Sequence, residues 1–353
     1  MIPAHGFAAN GPRSALGPMR FERRNPGTQD VAIEILYCGV CHSDLHQVRN
    51  DWGNTIYPCV PGHEIVGRVV RVGEEVTKFH QGDRVGVGAL VDSCRECDAC
   101  RQGLEQYCEG PIGPLFTYNG PATPNGHNTF GGYSNIIVVP QRFVLQIPAT
   151  LDPARAAPIL CAGVTTYSAL RHWKVGRGHK VGVVGLGGLG HMAVMIAKAL
   201  GAWVHVFTTS PKKRGAAAAL GADGFIISTD NNAMAAQAHT FDFILSTIPV
   251  KHDVNPYMAC LRRDGVLTLV GALEQLEPGI DNGSVAVHRQ SFAGSLIGGL
   301  PETQEVLEFC ATEGIQPEIE LICLDQVNEA FERMKAGEVR FRHVIDMGRG
   351  RRD

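Results

Sequence analysis

Hydrophobic positions fall into two textures along the chain. Up to about residue 150 they form short runs between Gly/Pro turns. Val31–Leu36, Ile65–Val72, Arg84–Val87 and Ser134–Val139 each read as a strand. Helical periodicity there is confined to short pieces, so an irregular β-rich region is expected. After Pro153 the pattern changes. Ala154–Trp173 reads as a helix, and Lys180–Val184 is the short apolar run of a buried parallel strand. Helices at His191–Leu200 and Lys212–Leu220, stopped by Gly201 and Gly221, alternate with strands at Val204–Phe207, Phe225–Ser228, Phe241–Ser246 and Val266–Val270. Such alternation predicts an α/β fold with a doubly wound parallel sheet. Beyond Pro301, two helices (Glu302–Glu313 and Gln326–Ala336) precede a strand near His343–Asp346.

At 353 residues the chain suits two domains. Its 44% hydrophobic and 19% charged residues are those of a soluble globular protein. A net charge of -3 gives no reason to expect nucleic acid or an anionic membrane as partner. No apolar run approaches the roughly 18–20 residues needed to span a bilayer. Met1–Asn10 lacks the basic-then-apolar order of a signal peptide, so a cytoplasmic protein is expected.

Cysteine changes this picture, because four of the 11 fall between Cys94 and Cys108. In a reducing compartment such clustering points to metal. Cys94, Cys97, Cys100 and Cys108 can close a tetrahedral thiolate shell around zinc, leaving no position for water, which makes the site structural. The spacing matches neither ferredoxin pattern of an iron–sulfur cluster.

Gly185, Gly187 and Gly190, with Gly188 and Leu189 between them, fit the dinucleotide fingerprint after a strand and at the start of a helix. The glycines allow close backbone approach, and the helix N-terminus receives a pyrophosphate. The acid that bonds an NAD ribose should follow about 20 residues on. That neighbourhood reads Phe207-Thr208-Thr209-Ser210-Pro211-Lys212-Lys213-Arg214, with hydroxyls and cations and no carboxylate. NADP(H) is therefore expected over NAD(H), although the three cations also fit the solvated start of a helix.

Three further signals are weak one by one: Cys41-His42-Ser43-Asp44-Leu45-His46, Gly62-His63-Glu64, and Cys161. A single buried cysteine is usually a small hydrophobe. Together, with Gly67, Gly73 and Val76 after Gly62-His63-Glu64, they resemble the zinc-containing medium-chain alcohol dehydrogenases. Gly131-Gly132-Tyr133-Ser134, Gly298-Gly299-Leu300-Pro301-Glu302-Thr303 and Val339-Arg340-Phe341-Arg342 are similar to the cinnamyl-alcohol-dehydrogenase-like branch.

The resemblance implies a GroES-like catalytic domain (residues 1–153 and 297–353) and a Rossmann NADP-binding domain (154–296). It implies a second, catalytic zinc on Cys41, His63 and Cys161, with Glu64 close enough to exchange as a ligand and Asp44 orienting His63. Ser43 and His46 would relay the proton. Ser210 and Lys213 would hold the 2′-phosphate of NADP, with Thr209 in the place of the NAD-type acid. Thr165 would line the nicotinamide, and His42 and Arg342 would approach the pyrophosphate. Trp52, Leu90 and Phe116 are expected as walls of an apolar pocket for primary aliphatic or aromatic alcohols and aldehydes, and Pro111–Thr129 as its mobile rim. A homodimer is expected. A polyol or secondary-alcohol dehydrogenase would share this chemistry, but the quartet and the tail motif fit the cinnamyl-like branch better. A zinc-free quinone reductase should lack Cys41, His63 and Cys161. A non-catalytic zinc- and nucleotide-binding protein should lack a ligand or relay residue, and none is missing.

Overall fold

Strand Asp30–Gly39 organises the first half of the molecule. Val31, Ala32 and Ile33 are fully buried, so its apolar run is continuous where a half-exposed strand would alternate. In the computed structural model, which describes residues 1–120, 129–271 and 274–349, it lies inside a seven-stranded sheet. The order is Ile319–Ile322, Arg342–Asp346, Asp30–Gly39, Ile65–Val72, Arg84–Val87 and Leu145–Gln146, with Ile136–Pro140 also pairing to Asp30–Gly39. Antiparallel pairing sets Val344 opposite Gly39, so the tail of the chain lies beside the end of the central strand. Burying Ile33, Ile35 and Phe143 here contributes about 1.5–3 kcal/mol each.

The chain divides into two units, Met1–Cys161 with Gly298–Asp353, and Ala162–Ile297. The second unit is a six-stranded parallel sheet in the order Gly224–Ile227, Trp203–Thr208, Lys180–Val184, Phe241–Ser246, Leu261–Leu269 and Ser291–Gly294. Chain order reverses between Lys180–Val184 and Phe241–Ser246, the switch point where such sheets bind nucleotides. No helix among the described residues is long and apolar enough to cross a membrane.

Several elements differ from the expectation. Ala154–Trp173 is not one helix: it breaks into Pro153–Ala156, a 3-10 turn at Ala157–Leu160, and Ala162–His172. Pro158 cannot supply the interior N–H of a continuing α-helix, and Cys161 leaves helical geometry at φ -127° and ψ -72°. The expected helix Lys212–Leu220 opens as a 3-10 turn at Pro211–Lys213 and is helical over Arg214–Ala219. An N-terminal hairpin (Ile2–Ala8 with Gly17–Arg23), a helix at His42–Arg49 and the edge strand Ser291–Gly294 were not anticipated.

Candidate active site

Cys41 ends the turn after strand Asp30–Gly39 and caps helix His42–Arg49. Asp44, at the third helical position, closes a reciprocal capping box with it: the Cys41 N–H donates to Asp44 Oδ2 at 2.9 Å. The buried carboxylate accepts three more hydrogen bonds. Gly62 N–H and His63 Nδ1–H donate to Oδ1, each at 3.0 Å, and the Tyr133 hydroxyl donates to Oδ2 at 3.0 Å. With its proton held on Nδ1, the imidazole presents the lone pair of Nε2, which lies 3.2 Å from Cys161 Sγ. The two sulfurs, Cys41 and Cys161, are 3.9 Å apart.

These atoms and a Glu64 carboxylate oxygen all lie within 4.8 Å of one another, and all four residues are buried. Tetrahedral zinc at about 2.3 Å from sulfur and 2.0–2.1 Å from nitrogen separates its donors by roughly 3.5–3.8 Å, so the cluster fits that ion. Hydrogen bonding with Cys161 holds the Cys41 thiol well below its ordinary value, against burial and with help from Arg342 and His63. Burial pushes the Glu64 carboxyl up to about 7, with the nearby guanidinium of Arg342 pulling the other way.

Arg342 is a buried side chain 3.0 Å from Glu64 Oε1 that donates to the Val40 carbonyl at 3.1 Å. Ser43 Oγ is 3.7 Å from Cys41 Sγ. His46 pairs through Nδ1 with Asp51 Oδ2 at 2.8 Å, and its ring lies 5.7 Å from Trp52 and 6.4 Å from His42. Leu90 pairs with Phe116 in a two-stranded antiparallel sheet; Leu90 is buried, whereas Phe116 and Trp52 are exposed. Within the expected rim Pro111–Thr129, residues 121–128 lie outside the described residues.

Sequence reasoning assigned no role to Tyr133 or Tyr118. Tyr133 stood in a motif read only as a branch marker. The ring of Tyr118, 5.5 Å from that of His63, sits in a Gly- and Pro-rich stretch with no periodicity to mark it.

The quartet forms a second cluster. Cys94 Sγ lies 3.9 Å from Cys100 Sγ, and Cys97 Sγ lies 4.0 Å from Cys108 Sγ. Backbone N–H groups of Glu96 and Cys97 donate to Cys94 Sγ, that of Glu109 to Cys97 Sγ, and that of Cys94 to Cys108 Sγ. Backbone hydrogen bonds from Cys100 and Glu109 lower the Cys97 thiol to about 6. Four sulfurs, with no histidine or carboxylate grouped with them among the described residues, suit a closed zinc site.

In the other unit, Gly185 turns at φ +89° directly after its strand, and helix Gly188–Ala199 begins within the motif. A Cβ on Gly190 would stand 2.1 Å from the Gly185 carbonyl oxygen, so only glycine lets the turn and helix pack this closely. Thr209 and Ser210 follow strand Trp203–Thr208, the parallel neighbour of the glycine strand. Lys213 reaches back to donate to the Leu186 carbonyl at 3.0 Å, placing a half-buried ammonium, its pKa lowered by burial, on the glycine loop. Thr165 is buried in helix Ala162–His172.

A metal-fitting cluster in a β-rich unit and a nucleotide-type sheet in another define the class of two-unit, metal-dependent dehydrogenases. Residues 27–149 match the alcohol dehydrogenase GroES-like domain, and residues 188–312 match the zinc-binding dehydrogenase family. Over 335 residues the chain is 54% identical to aldehyde reductase YahK of Escherichia coli, covering 95% of each protein. A cinnamyl alcohol dehydrogenase structure from Sorghum bicolor is similar at TM-score 0.95 and 43% identity over 99% of each chain. A cinnamyl alcohol dehydrogenase from Helicobacter pylori, complexed with NADP(H), is similar at TM-score 0.90 and 38% identity, again over 99% of each chain. The chain belongs to the zinc-containing medium-chain alcohol dehydrogenases, in their cinnamyl-alcohol-dehydrogenase-like branch, and is an alcohol/aldehyde oxidoreductase.

Proposed function

We propose that the chain interconverts primary alcohols and aldehydes, aliphatic or aromatic, with NADP(H), acting mainly in aldehyde reduction. The reading rests on the buried cluster of Cys41, His63 and Cys161 beside Asp44. When bound, zinc supplies a Lewis acid for the substrate oxygen, and the dinucleotide supplies or accepts the hydride. Cys41, His63 and Cys161 hold the catalytic ion, while Cys94, Cys97, Cys100 and Cys108 hold a structural one. Glu64, steadied by Arg342, is the spare donor beside the catalytic ion.

Ser43 exchanges the substrate proton at its hydroxyl, and His46, oriented by Asp51, passes it to solvent. The turn of Gly185, Gly187, Gly188, Leu189 and Gly190 cradles the pyrophosphate on the helix N-terminus, and His42 is assigned to the same group as a hydrogen-bonding imidazole. Thr209, Ser210 and Lys213 receive the 2′-phosphate, and Thr165 lines the nicotinamide. Trp52, Leu90 and Phe116 form apolar walls of the substrate pocket. The protein works in the cytoplasm as a homodimer, for which Ser291–Gly294, an edge strand paired to Leu261–Leu269 among the described residues, offers a sheet edge.

The test is NADPH consumption across a panel of aldehydes, with NADH and chelator-treated protein as controls. Turnover of several aldehydes that falls on zinc removal is expected. A protein carrying two zincs per chain that reduces none of them overturns the reading. Thr209→Asp tests the cofactor assignment: a carboxylate beside the 2′-phosphate should shift the NADPH-to-NADH efficiency ratio toward NADH by about tenfold or more. An unchanged ratio removes this loop as the discriminator.

A further inference from the structure

The motif Gly131-Gly132-Tyr133-Ser134 is laid along the segment that carries His63. Gly131, Gly132 and Tyr133 donate backbone hydrogen bonds to the carbonyls of Val60, Gly62 and Pro61 at 2.7, 2.8 and 2.9 Å. Gly62 adopts φ +103°, and a Cβ there would stand 2.6 Å from Tyr133 Cδ1. Glycine at that position therefore lets the tyrosine ring press against the backbone of the metal-binding segment. The ring is fully buried, and its hydroxyl meets Asp44 Oδ2 at 3.0 Å.

That contact completes the coordination of the Asp44 carboxylate by hydrogen bonds. Oδ1 receives Gly62 N–H and His63 Nδ1–H, while Oδ2 receives Cys41 N–H and the Tyr133 hydroxyl. Each donor on the two oxygens further restricts rotation of the carboxylate, and a buried lone pair without a donor is costly. The Tyr133 hydroxyl on Oδ2 and His63 on Oδ1 hold the carboxylate from its two oxygens, and the neighbouring Tyr118 hydroxyl interacts with the same group.

We propose that Tyr133 is a positioning residue for the catalytic metal. Its hydroxyl locks Asp44, and Asp44 in turn fixes the imidazole of His63 with Nε2 directed at the metal-binding cluster. The proposal rests on the catalytic-zinc reading above. Groups that orient a ligand histidine typically carry 10–100-fold in metal affinity, so the lock should be felt in how tightly the ion is held.

The experiment follows release of both zincs from the holoenzyme to a colorimetric chelator, comparing the wild type with Tyr133→Phe. Phenylalanine keeps the ring in its slot and removes only the donor. The catalytic ion should leave about tenfold faster or more, the quartet ion at an unchanged rate. The d–d absorption of cobalt substituted at the catalytic site should also shift. Phe331→Leu is the control, since Phe331 is a buried ring 6.5 Å from that of Tyr133 and leaves the hydroxyl contact intact. It should lower thermal stability without hastening release. Wild-type release rates in Tyr133→Phe, or equal acceleration in both variants, overturn the proposal. A wild type that holds only the quartet zinc overturns the catalytic-centre reading itself, and this proposal falls with it.

Discussion

The two sulfur clusters make opposite demands on the chain. The quartet is assembled by one loop, with its donors confined between Cys94 and Cys108 and backbone N–H groups of that loop supplying its hydrogen bonds. Cys94 and Cys97 are half-exposed, and most intervening side chains are charged or polar. The other cluster spans 120 residues from Cys41 to Cys161, buries all four donors, and is ringed by Asp44, Arg342 and Tyr133 from three separate segments. A loop can fold around an ion by itself, because short closures cost little entropy. A cluster drawn from distant segments exists only when the whole unit has folded. In return its charges sit in a low-dielectric interior, where each is worth more. That is the setting in which a metal does chemistry, while the quartet is the setting in which a metal holds shape.

The sharpest way to break this comparison is to remove a ligand from each side. Cys161→Ala should leave one zinc per chain and lower kcat by roughly a thousandfold, since loss of a Lewis acid worth several kcal/mol is tenfold per 1.36 kcal/mol. Metal analysis beside aldehyde-reduction kinetics checks it. Two retained zincs with full turnover would show that Cys161 is an ordinary buried thiol. The next effect in size is Cys97→Ser, which should also lose one zinc but act through stability. Melting should fall by several degrees, at roughly 2–4 °C per kcal/mol for a unit of this size, with activity lost only as protein unfolds. Collapse of turnover in protein that is still fully folded would mean that the quartet reaches the chemistry, and the distinction drawn here would fail.

The contrast also explains what could be read from the residues alone. The quartet was legible because its spacing is the site, and the strand–helix alternation after Pro153 was legible because a buried parallel sheet needs it. The donors Cys41, His63 and Cys161 are too far apart for spacing to join them, and only resemblance to a family did so. Arg342 illustrates the limit. Nothing near it in sequence points to Glu64; antiparallel pairing of Val344 with Gly39 brings the two together. Tyr133 was visible as part of a motif, but its partner Asp44 is 89 residues away. The break at Cys161 had a local signal in Pro158, which a helical hydrophobic pattern outweighed. The N-terminal hairpin carried almost none, since Ile2–Ala8 includes a proline and a glycine and is a strand through its pairing with Gly17–Arg23.

The smallest predicted effect sharpens what the quartet loop holds in place. Helix Leu300–Glu313 starts at Gly299, which has no side chain to cap it. Its first N–H, on Leu300, donates to Glu105 Oε2 at 3.0 Å, and Glu105 belongs to the 3-10 turn between Cys100 and Cys108. The metal-binding loop thus supplies the missing cap from a distant part of the chain, and a buried carboxylate suits the positive end of the helix dipole. Glu105→Gln keeps an oxygen acceptor but removes the charge, so the loss should be about 1 kcal/mol, or about 2–4 °C in melting. Hydrogen exchange should quicken at Leu300 and Thr303 while both zincs stay bound. Release of the quartet zinc in this variant would show that the loop and the helix fold as one cooperative piece. The self-sufficient loop that distinguishes the quartet from the catalytic cluster would then have to be given up.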